Sequence, residues 1–351
     1  MRCDSLSGQL HVKNHYIPQL YLQNWSINNE IHVYNNLVSH ENVPLFQKKR
    51  ISKICYLNHL YTNRIEKTDY DDFELWINQV VEMPYKITQD KVLNGTKLNF
   101  VDYQNISRFV FAQYFRVPKF YAIKYKSLVK GLESSFEDIL TDIVSKAEEK
   151  IKHKVPLKLP ETSGSQMDMP IGISHEKFGE QNYLKAEVLF GRKAWLSTIK
   201  RMVENTFDKI RDYKWQIIKA VDGFEWYTSD NPVTLLNYWS KEKYNFEGAW
   251  KVKHTIILMP ISPQYLLFCE VGCRQSFSNT VAWQTFINKC IVENSFLHVY
   301  STKPDEVIPQ IRKRVVDVNE YKRIYGMFSN WHNDQSKGED EFLIKCNRVI
   351  K

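Results

Sequence analysis

Long apolar runs are missing from this 351-residue sequence. Its most apolar later stretch, TIILMPISPQYLLF, is interrupted by two prolines, whereas a membrane-spanning helix needs about 20 consecutive apolar residues. The first residues, MRCDSLSGQLHVKNH, also lack the apolar run of a signal peptide. We therefore expect a soluble, cytoplasmic protein without a membrane partner.

The common cofactor and nucleophile motifs are absent too. The sequence has no phosphate-binding P-loop, no dinucleotide-binding glycine pattern, no His-Glu-x-x-His and no Gly-x-Ser-x-Gly. Internal repeats and low-complexity segments are also missing. No cofactor, reaction or oligomeric state can be assigned from a motif of these kinds.

Cysteine is scarce. Cys269 and Cys273 are four residues apart, on a predicted strand that leads into a turn, and no second Cys or His pair stands at zinc-site spacing. We expect reduced, mostly buried thiols. The six cysteines are Cys3, Cys55, Cys269, Cys273, Cys290 and Cys346.

Aromatic residues, in contrast, are abundant. Twenty Tyr, 19 Phe and nine Trp, with a hydrophobic fraction of 43%, predict a folded chain with a substantial core and exclude a disordered one. The net charge of +8 suits a nucleic acid or another anionic partner, although it is modest for a dedicated DNA-binding domain.

Helical patterns dominate the first half of the sequence. After a short helix at Pro18, periodic apolar residues predict helices over 69–95 and 99–118, and Pro84 should kink or split the first of these. A helix pair over 119–153 and a long helix over about 180–211 follow. Between them, 154–179 holds three prolines and three glycines, which predicts a long loop or an insertion.

Strand patterns are concentrated in the second half. Two runs around Asp222-Gly223 (213–230) and two around Ser262-Pro263 (254–270) each predict a hairpin. Shorter strands are expected at 30–35 and 296–301. We therefore predict an α+β fold, in which a mainly helical first half precedes an antiparallel sheet built from hairpins. One large domain would span 1–301, and a basic C-terminal extension, 302–351, would pack on it.

The stretch NHYIPQLYLQNW (14–25) is the first candidate for a site. Pro18 suits the first turn of a helix, where no backbone N–H is needed. Asn14, His15 and Tyr16 precede that helix and Gln19 lies in its first turn, where free N–H groups favour an anion. Alternatively, these side chains only satisfy the helix start and its neighbouring loops.

The stretch TSDNPV (228–233) is the second candidate. Ser229 and Asp230 can close a turn by side-chain-to-backbone hydrogen bonds, and Asn231 precedes a proline that keeps it extended. Alternatively, a carboxylate at a strand end is well placed for acid–base chemistry or for a metal.

Further candidates lie on the predicted helices. Basic residues after the 99–118 helix alternate with aromatic ones, as in proteins that bind phosphates and stacked bases, or they are cations near a helix C-terminus. Glu74 and Glu82, eight residues apart on one helix, are candidate metal ligands. A further helix is predicted for NTVAWQTFINKCIVENS (279–295), in which Asn288 is a polar residue among apolar ones, and a buried Asn needs hydrogen-bond partners. The remaining residues of interest are Gln113, Arg116, Lys119, Lys124 and Asn288.

Five stretches of the sequence form a recognisable set. They are NHYIPQLYLQNWS (14–26), FAQYFRVP (111–118), YTSDNPV (227–233), LMPISPQYLLF (258–268) and INKCIVENSFLHVYS (287–301). Together they resemble an uncharacterised, mainly bacterial family catalogued as domain of unknown function 4238. Ile17 and Ile261 are conservative departures from the family pattern, which has His-Tyr-Val-Pro-Gln and Pro-Leu-Ser-Pro at those places. The resemblance implies that the scattered polar residues occur together, as in a composite site, but it implies no activity.

We therefore expect an enzyme that processes nucleic acid or a nucleotide by metal-dependent phosphodiester hydrolysis, as in a toxin-like or phage-defence effector. The catalytic residues would be His15, Gln19, Asp230 and Asn231. Asp230 and Glu82 would bind Mg²⁺ or Mn²⁺. The substrate would be held by Asn14, Tyr16, Gln113, Arg116, Lys119, Lys124, Ser229 and Asn288.

The alternative is a non-enzymatic module. Its polar motifs would join the first helix to the sheet, while segment 116–130 would bind nucleic acid or a protein. A receptor for a nucleotide-derived signal is a third class. The discriminating observation is whether His15, Arg116 and Asp230 converge on one cleft.

Overall fold

The structure is a computed structural model, and no helix within its described ranges is both long and apolar enough to cross a bilayer. Most of the predicted helix pair over 119–153, and residues 154–170 of the predicted loop, lie outside these ranges. So do Cys3 and the side chain of Cys346. The described residues are 10–65, 68–125, 127, 171–178, 181–206, 210, 211, 213–273 and 279–349.

The strands form two larger sheets and several two-stranded ones. A five-stranded sheet has the order β10-β15-β14-β12-β13 and a four-stranded sheet the order β11-β16-β2-β4, with antiparallel pairing in both. The pairs β1-β5, β6-β7 and β8-β9 are antiparallel, and β17-β3 is parallel. The strands are β1 Lys13–His15, β2 Glu30–Asn35, β3 Leu37–Val38, β4 Phe46–Arg50, β5 Tyr56–Asn58, β6 Asn63–Ile65, β7 Thr68–Tyr70, β8 Ile171–Phe178, β9 Gln181–Val188, β10 Gln216–Lys219, β11 Thr228–Ser229, β12 Thr234–Tyr238, β13 Tyr244–Asn245, β14 Ile256–Pro260, β15 Tyr265–Glu270, β16 His298–Ser301 and β17 Val315–Val316.

Local sequence explains where the longer helices begin. Asn99 and Asp102 form a reciprocal capping box at the start of α4, while Thr280 and Asp317 cap α6 and α8 with their side chains. The α-helices are α1 Gln19–Leu22, α2 Asp72–Ile77, α3 Met83–Leu93, α4 Phe100–Arg116, α5 Arg192–Arg201, α6 Val281–Asn294, α7 Val307–Ile311, α8 Val318–Ser329 and α9 Trp331–Val349.

Pro84 interrupts the second predicted helix as expected. A π-helical turn, Asn78–Glu82, separates α2 from α3, and Pro84 lies in the first turn of α3. A π turn shifts the helical phase, and such turns are common at functional sites. Here Glu82 is the last residue of the π turn, and Glu74 lies in α2, which precedes it.

Several predicted elements differ from the structure. The runs around Asp222-Gly223 do turn there, with Gly223 at a φ of 79°, but β10 pairs with β15 and β11 pairs with β16, so they do not form a hairpin. The predicted helix over 180–211 was wrong in extent, because Gln181–Val188 is a strand and α5 begins at Arg192. The first half contains strands as well as helices.

Two apolar clusters form the core. The larger packs side chains of α1, α4 and α5, including Tyr21, Phe109 and Trp195, against the sheet strands. The smaller packs α6 against the faces of β14 and β15 that point away from the larger cluster. Residues beyond 301 contribute as well, since the buried Trp331 belongs to the larger cluster and its indole N–H donates to the Leu60 carbonyl.

Candidate functional site

Asp230 follows β11 and is almost completely buried, with 3% of its surface exposed. Its Oδ1 accepts the backbone N–H of Phe296 at 2.8 Å and its Oδ2 accepts that of Leu297 at 2.7 Å. The carboxylate therefore fixes the chain between α6 and β16, a role that accounts for much of its burial.

The other polar residues of this region also bond mainly to backbone. The Asn231 amide donates to the Asn294 carbonyl at 2.9 Å, and the Ser229 hydroxyl accepts the Asn231 backbone N–H at 3.2 Å. Asn288 accepts the N–H of Tyr227 at 3.1 Å and donates to the carbonyl of Glu225 at 2.8 Å. The TSDNPV turn is thus attached to α6 by side chains that the sequence had marked as candidates.

His298, which the sequence pattern indicates only as part of a strand, lies beside Asp230. Its Nδ1 is 3.4 Å from Asp230 Oδ2, and its Nε2 is 3.3 Å from the Tyr325 hydroxyl. Both distances exceed those of well-formed hydrogen bonds, as is common for catalytic groups before a ligand binds. The three side chains form an Asp–His–Tyr row that no spacing in the sequence could reveal, because Asp230 and Tyr325 are far apart along the chain.

This row lines a cavity of about 740 Å³, a size typical of small-molecule sites. Tyr321 and Tyr325 stack with ring centroids 4.2 Å apart, and Lys49, Lys53 and His40 also line the cavity. Asp230 is the one acidic side chain among its described lining residues. The other aromatic residues of the wall are Tyr16, Tyr56, Phe296, Tyr300 and Phe328.

The buried part of the cavity wall carries a thiol and two hydroxyls that do not ionise near neutral pH. Cys55 Sγ is 2.9 Å from the Tyr300 hydroxyl, and both groups are buried beside Tyr16. Burial raises the pKa of the Cys55 thiol and of the Tyr16 and Tyr300 hydroxyls well above their usual ranges. These groups therefore remain neutral and provide hydrogen bonds and shape rather than a nucleophile.

The basic–aromatic segment after α4 lies largely inside the protein. Lys119 Nζ donates to the Asn294 carbonyl at 2.6 Å, and burial lowers the pKa of Lys119 to about 8, although Asp230 acts against this effect. Lys124 Nζ donates to the Tyr114 hydroxyl at 2.7 Å. Phe120 and Tyr125 are buried. The described part of 116–130 therefore does not present the open stacking surface that the sequence suggested.

Arg116 belongs to a second cluster, at the C-terminus of α4. It is 1% exposed, its Nη1 donates to Glu82 Oε1 at 2.6 Å and its Nε donates to Gln113 Oε1 at 2.9 Å. Gln113 Nε2 in turn donates to the Tyr16 carbonyl at 2.7 Å. Asn14 lies nearby, where its Oδ1 accepts the Tyr61 N–H at 3.0 Å.

The electrostatics of this second cluster are unusual. Burial, with a contribution from the adjacent Glu82, raises the pKa of Glu74 to about 7. Burial and then the Arg116 charge lower the pKa of His15 to about 4. Arg116 Nη2 and His15 Nε2 are buried and have no hydrogen-bond partner among the described residues. Perturbed titratable groups of this kind occur both at functional sites and in structural ion-pair networks.

The two clusters are distinct. Among the described residues, no hydrogen bond or ion pair joins Arg116 or Glu82 to Asp230. Tyr16 connects the two clusters, since its carbonyl accepts a hydrogen bond from Gln113 and Tyr16 also lines the cavity. Gln19 is exposed, in a helix of only four residues that has a weak dipole. A metal held jointly by Asp230 and Glu82 does not fit this arrangement, because each carboxylate already has protein partners in its own cluster.

Comparisons with known proteins agree with the motif resemblance. No curated protein and no solved structure matches the chain. A family model described as "Protein of unknown function (DUF4238)" matches residues 13–305, a range that includes Asp230 and His298 but not Tyr325. Because the match covers most of the sequence, the chain belongs to the DUF4238 family.

Proposed function

We propose that the cavity binds a nucleotide-like ligand and that the protein hydrolyses a phosphodiester bond within it. The observation that carries this proposal is the Asp230–His298–Tyr325 row on the wall of a tyrosine-rich, basic cavity. A positioned carboxylate–histidine pair is a recurrent source of a general base.

The lining supports an anionic, aromatic ligand. Aromatic side chains stack on bases, and lysine ammonium groups bind phosphate as point charges. Lys49 and Lys53 supply two such charges. The cavity volume suits a nucleotide or a short oligonucleotide end. A long strand is less well supported, since Arg116, Lys119 and Lys124 are engaged within the protein.

The chemistry would require one proton acceptor. With the Nδ1 proton directed towards Asp230, His298 Nε2 carries a lone pair that lies 3.3 Å from the Tyr325 hydroxyl. When substrate is bound, this nitrogen would accept a proton from a water molecule that attacks phosphorus. The bond from phosphorus to the leaving oxygen then breaks, and the imidazolium returns the proton to that oxygen. Lysine charges at the cavity would stabilise the added negative charge on the phosphoryl oxygens.

The test uses purified wild-type protein and the His298→Asn variant. Bis(p-nitrophenyl) phosphate, cyclic nucleotides, dinucleotides, RNA, single-stranded DNA and duplex DNA are supplied with Mg²⁺, Mn²⁺ or EDTA. The matched control is His32→Asn, because His32 lies on the neighbouring β2 and does not line the cavity. We expect cleavage of at least one substrate, a loss of about 100-fold or more in kcat for His298→Asn, and no loss for His32→Asn.

Full activity in a folded His298→Asn variant would refute the assigned base, and lack of both cleavage and nucleotide binding by wild type would refute the proposal. The EDTA arm decides whether Mg²⁺ or Mn²⁺ takes part. The nucleic-acid arms address the toxin-like or phage-defence role, for which an RNA or DNA substrate would be required.

A non-enzymatic receptor is the second candidate. It is favoured by the structural use of Asp230, Asn231 and Asn288, whose side chains form hydrogen bonds with backbone groups. Nucleotide binding that raises the melting temperature without turnover, and that is weakened by Tyr325→Ala, would support this function instead.

A further inference from the structure

The geometry points to a separate site for a divalent transition metal, formed by His254, Glu270 and Cys273 at the end of the β14–β15 hairpin. One ligand atom from each residue lies within 4.8 Å of the other two. His254 Nδ1 is 2.8 Å from Glu270 Oε1 and 3.4 Å from Cys273 Sγ. Three donor atoms this close can share one ion after only small side-chain movements.

Backbone contacts hold the ligands in place. The His254 N–H donates to the Val271 carbonyl at 2.9 Å, and the Val271 N–H donates to the Thr255 carbonyl at 2.9 Å. His254 adopts a φ of 71°, which is uncommon for a residue other than glycine and occurs often at functional positions. In this strained backbone conformation the His254 imidazole lies against Glu270.

Glu270 supplies an independent reason to expect a cation. It is 5% exposed, and its Oε2 is buried without a hydrogen-bond partner among the described residues. Within the described part of the chain its ion-pair partner is His254, which is charged only when protonated. A buried carboxylate oxygen without a partner is costly, and a bound cation would remove that cost.

The donor set selects the class of metal. One imidazole nitrogen, one carboxylate oxygen and one thiolate suit Zn²⁺ or Co²⁺ rather than Mg²⁺ or Ca²⁺, which prefer oxygen ligands only. The carboxylate and the thiolate together balance the charge of the ion. Three protein ligands leave a fourth position for water or another ligand.

A second cluster, His59, Asp69 and His332, has similar spacing but unsuitable chemistry. Arg192 Nη1 lies 2.8 Å from His332 Nδ1, and because arginine only donates, that nitrogen must carry a lone pair. The proton of neutral His332 is therefore on Nε2, which is 3.1 Å from Asp69 Oδ2. A metal at Nε2 would displace this proton and leave no place for it on Nδ1. This cluster serves as an internal control.

The experiment titrates metal-free protein with Co²⁺ under reducing conditions and follows the sulfur-to-cobalt charge-transfer band. We expect one Co²⁺ per chain, displaced by Zn²⁺. The band should be absent in Cys273→Ser, and the affinity should fall by about 10-fold or more in Glu270→Gln. His59→Gln should bind Co²⁺ as wild type does. Circular dichroism and melting temperature confirm that each variant is folded.

A measurement on the wild-type chain guards against variants that do not fold. Zn²⁺ should slow alkylation of Cys273 by iodoacetamide, with the labelled peptide identified by mass spectrometry, and EDTA should restore the rate. The proposal is overturned if the band is missing in wild type, if it persists in Cys273→Ser, or if Zn²⁺ leaves the alkylation of Cys273 unchanged.

Discussion

Replacing Glu74 by Gln should stabilise the protein at alkaline pH and have little effect at acidic pH. Burial and the nearby Glu82 raise the pKa of Glu74 from 4.5 to about 7, so the folded chain holds this proton more tightly than the unfolded chain does. The stability that this proton contributes is fully present below pH 4.5 and is lost as the pH rises through 7. Gln resembles the protonated acid and removes this loss.

The magnitude follows from the two pKa values. A difference of about 2.5 between the two pKa values, at about 1.4 kcal/mol for each pH unit, sets a ceiling of about 3.5 kcal/mol for the gain in free energy of unfolding above pH 8. The Gln amide can still offer an oxygen to Asn14 Nδ2, which lies 3.5 Å from Glu74 Oε2 in the wild-type chain. We therefore expect most of the electrostatic gain to be retained.

The matched control is Glu82→Gln, for which the opposite result is expected. Glu82 Oε1 accepts from Arg116 Nη1 at 2.6 Å, and Arg116 is buried. Removing the carboxylate leaves a buried guanidinium charge without its partner, which costs about 3–5 kcal/mol. Two glutamates eight residues apart should therefore give changes of opposite sign at pH 8.5.

The assay is thermal and chemical unfolding of wild type, Glu74→Gln and Glu82→Gln at intervals from pH 4 to pH 9. A higher melting temperature for Glu74→Gln at pH 8.5, converging on wild type near pH 4, would support the reasoning. A difference that does not change with pH, or a Glu82→Gln variant as stable as wild type, would refute it.

Other predictions follow from the same contacts. Asp230→Asn should lower the free energy of unfolding by about 2–4 kcal/mol in guanidinium titrations, because the amide NH₂ would face a backbone N–H that the carboxylate oxygen accepted. His15 should make the free energy of unfolding of wild type fall as the pH is lowered from 6.5 to 4, because burial lowers its pKa to about 4 in the folded chain and the unfolded chain takes up the proton first. His15→Gln should flatten this part of the pH profile, and an unchanged slope would argue against this reasoning. Cys55, buried and with a raised pKa, should resist iodoacetamide in the folded state while Cys273 reacts, as peptide mapping would show.

Elements with strong local signals were predicted well. The capped helix α4, the helix α6, the strand β2 and the β14–β15 hairpin at Ser262-Pro263 all follow from short-range pattern, capping and turn chemistry. The turn at Asp222-Gly223 was also correct, because Gly accepts a positive φ. The pairing around that turn was not, since a turn does not determine which strand lies beside the next one.

The sequence by itself determined the membership in the DUF4238 family and the polar residues worth examining. Only the tertiary structure decided their partners. It places these residues in two separate clusters, one around the Arg116–Glu82 ion pair and one around Asp230 and His298, and it brings Tyr325 to the cavity. The physical reason is that these contacts join residues tens to hundreds of positions apart. Their geometry depends on how helices and sheets pack, whereas propensity, capping and turn preferences act over a few residues.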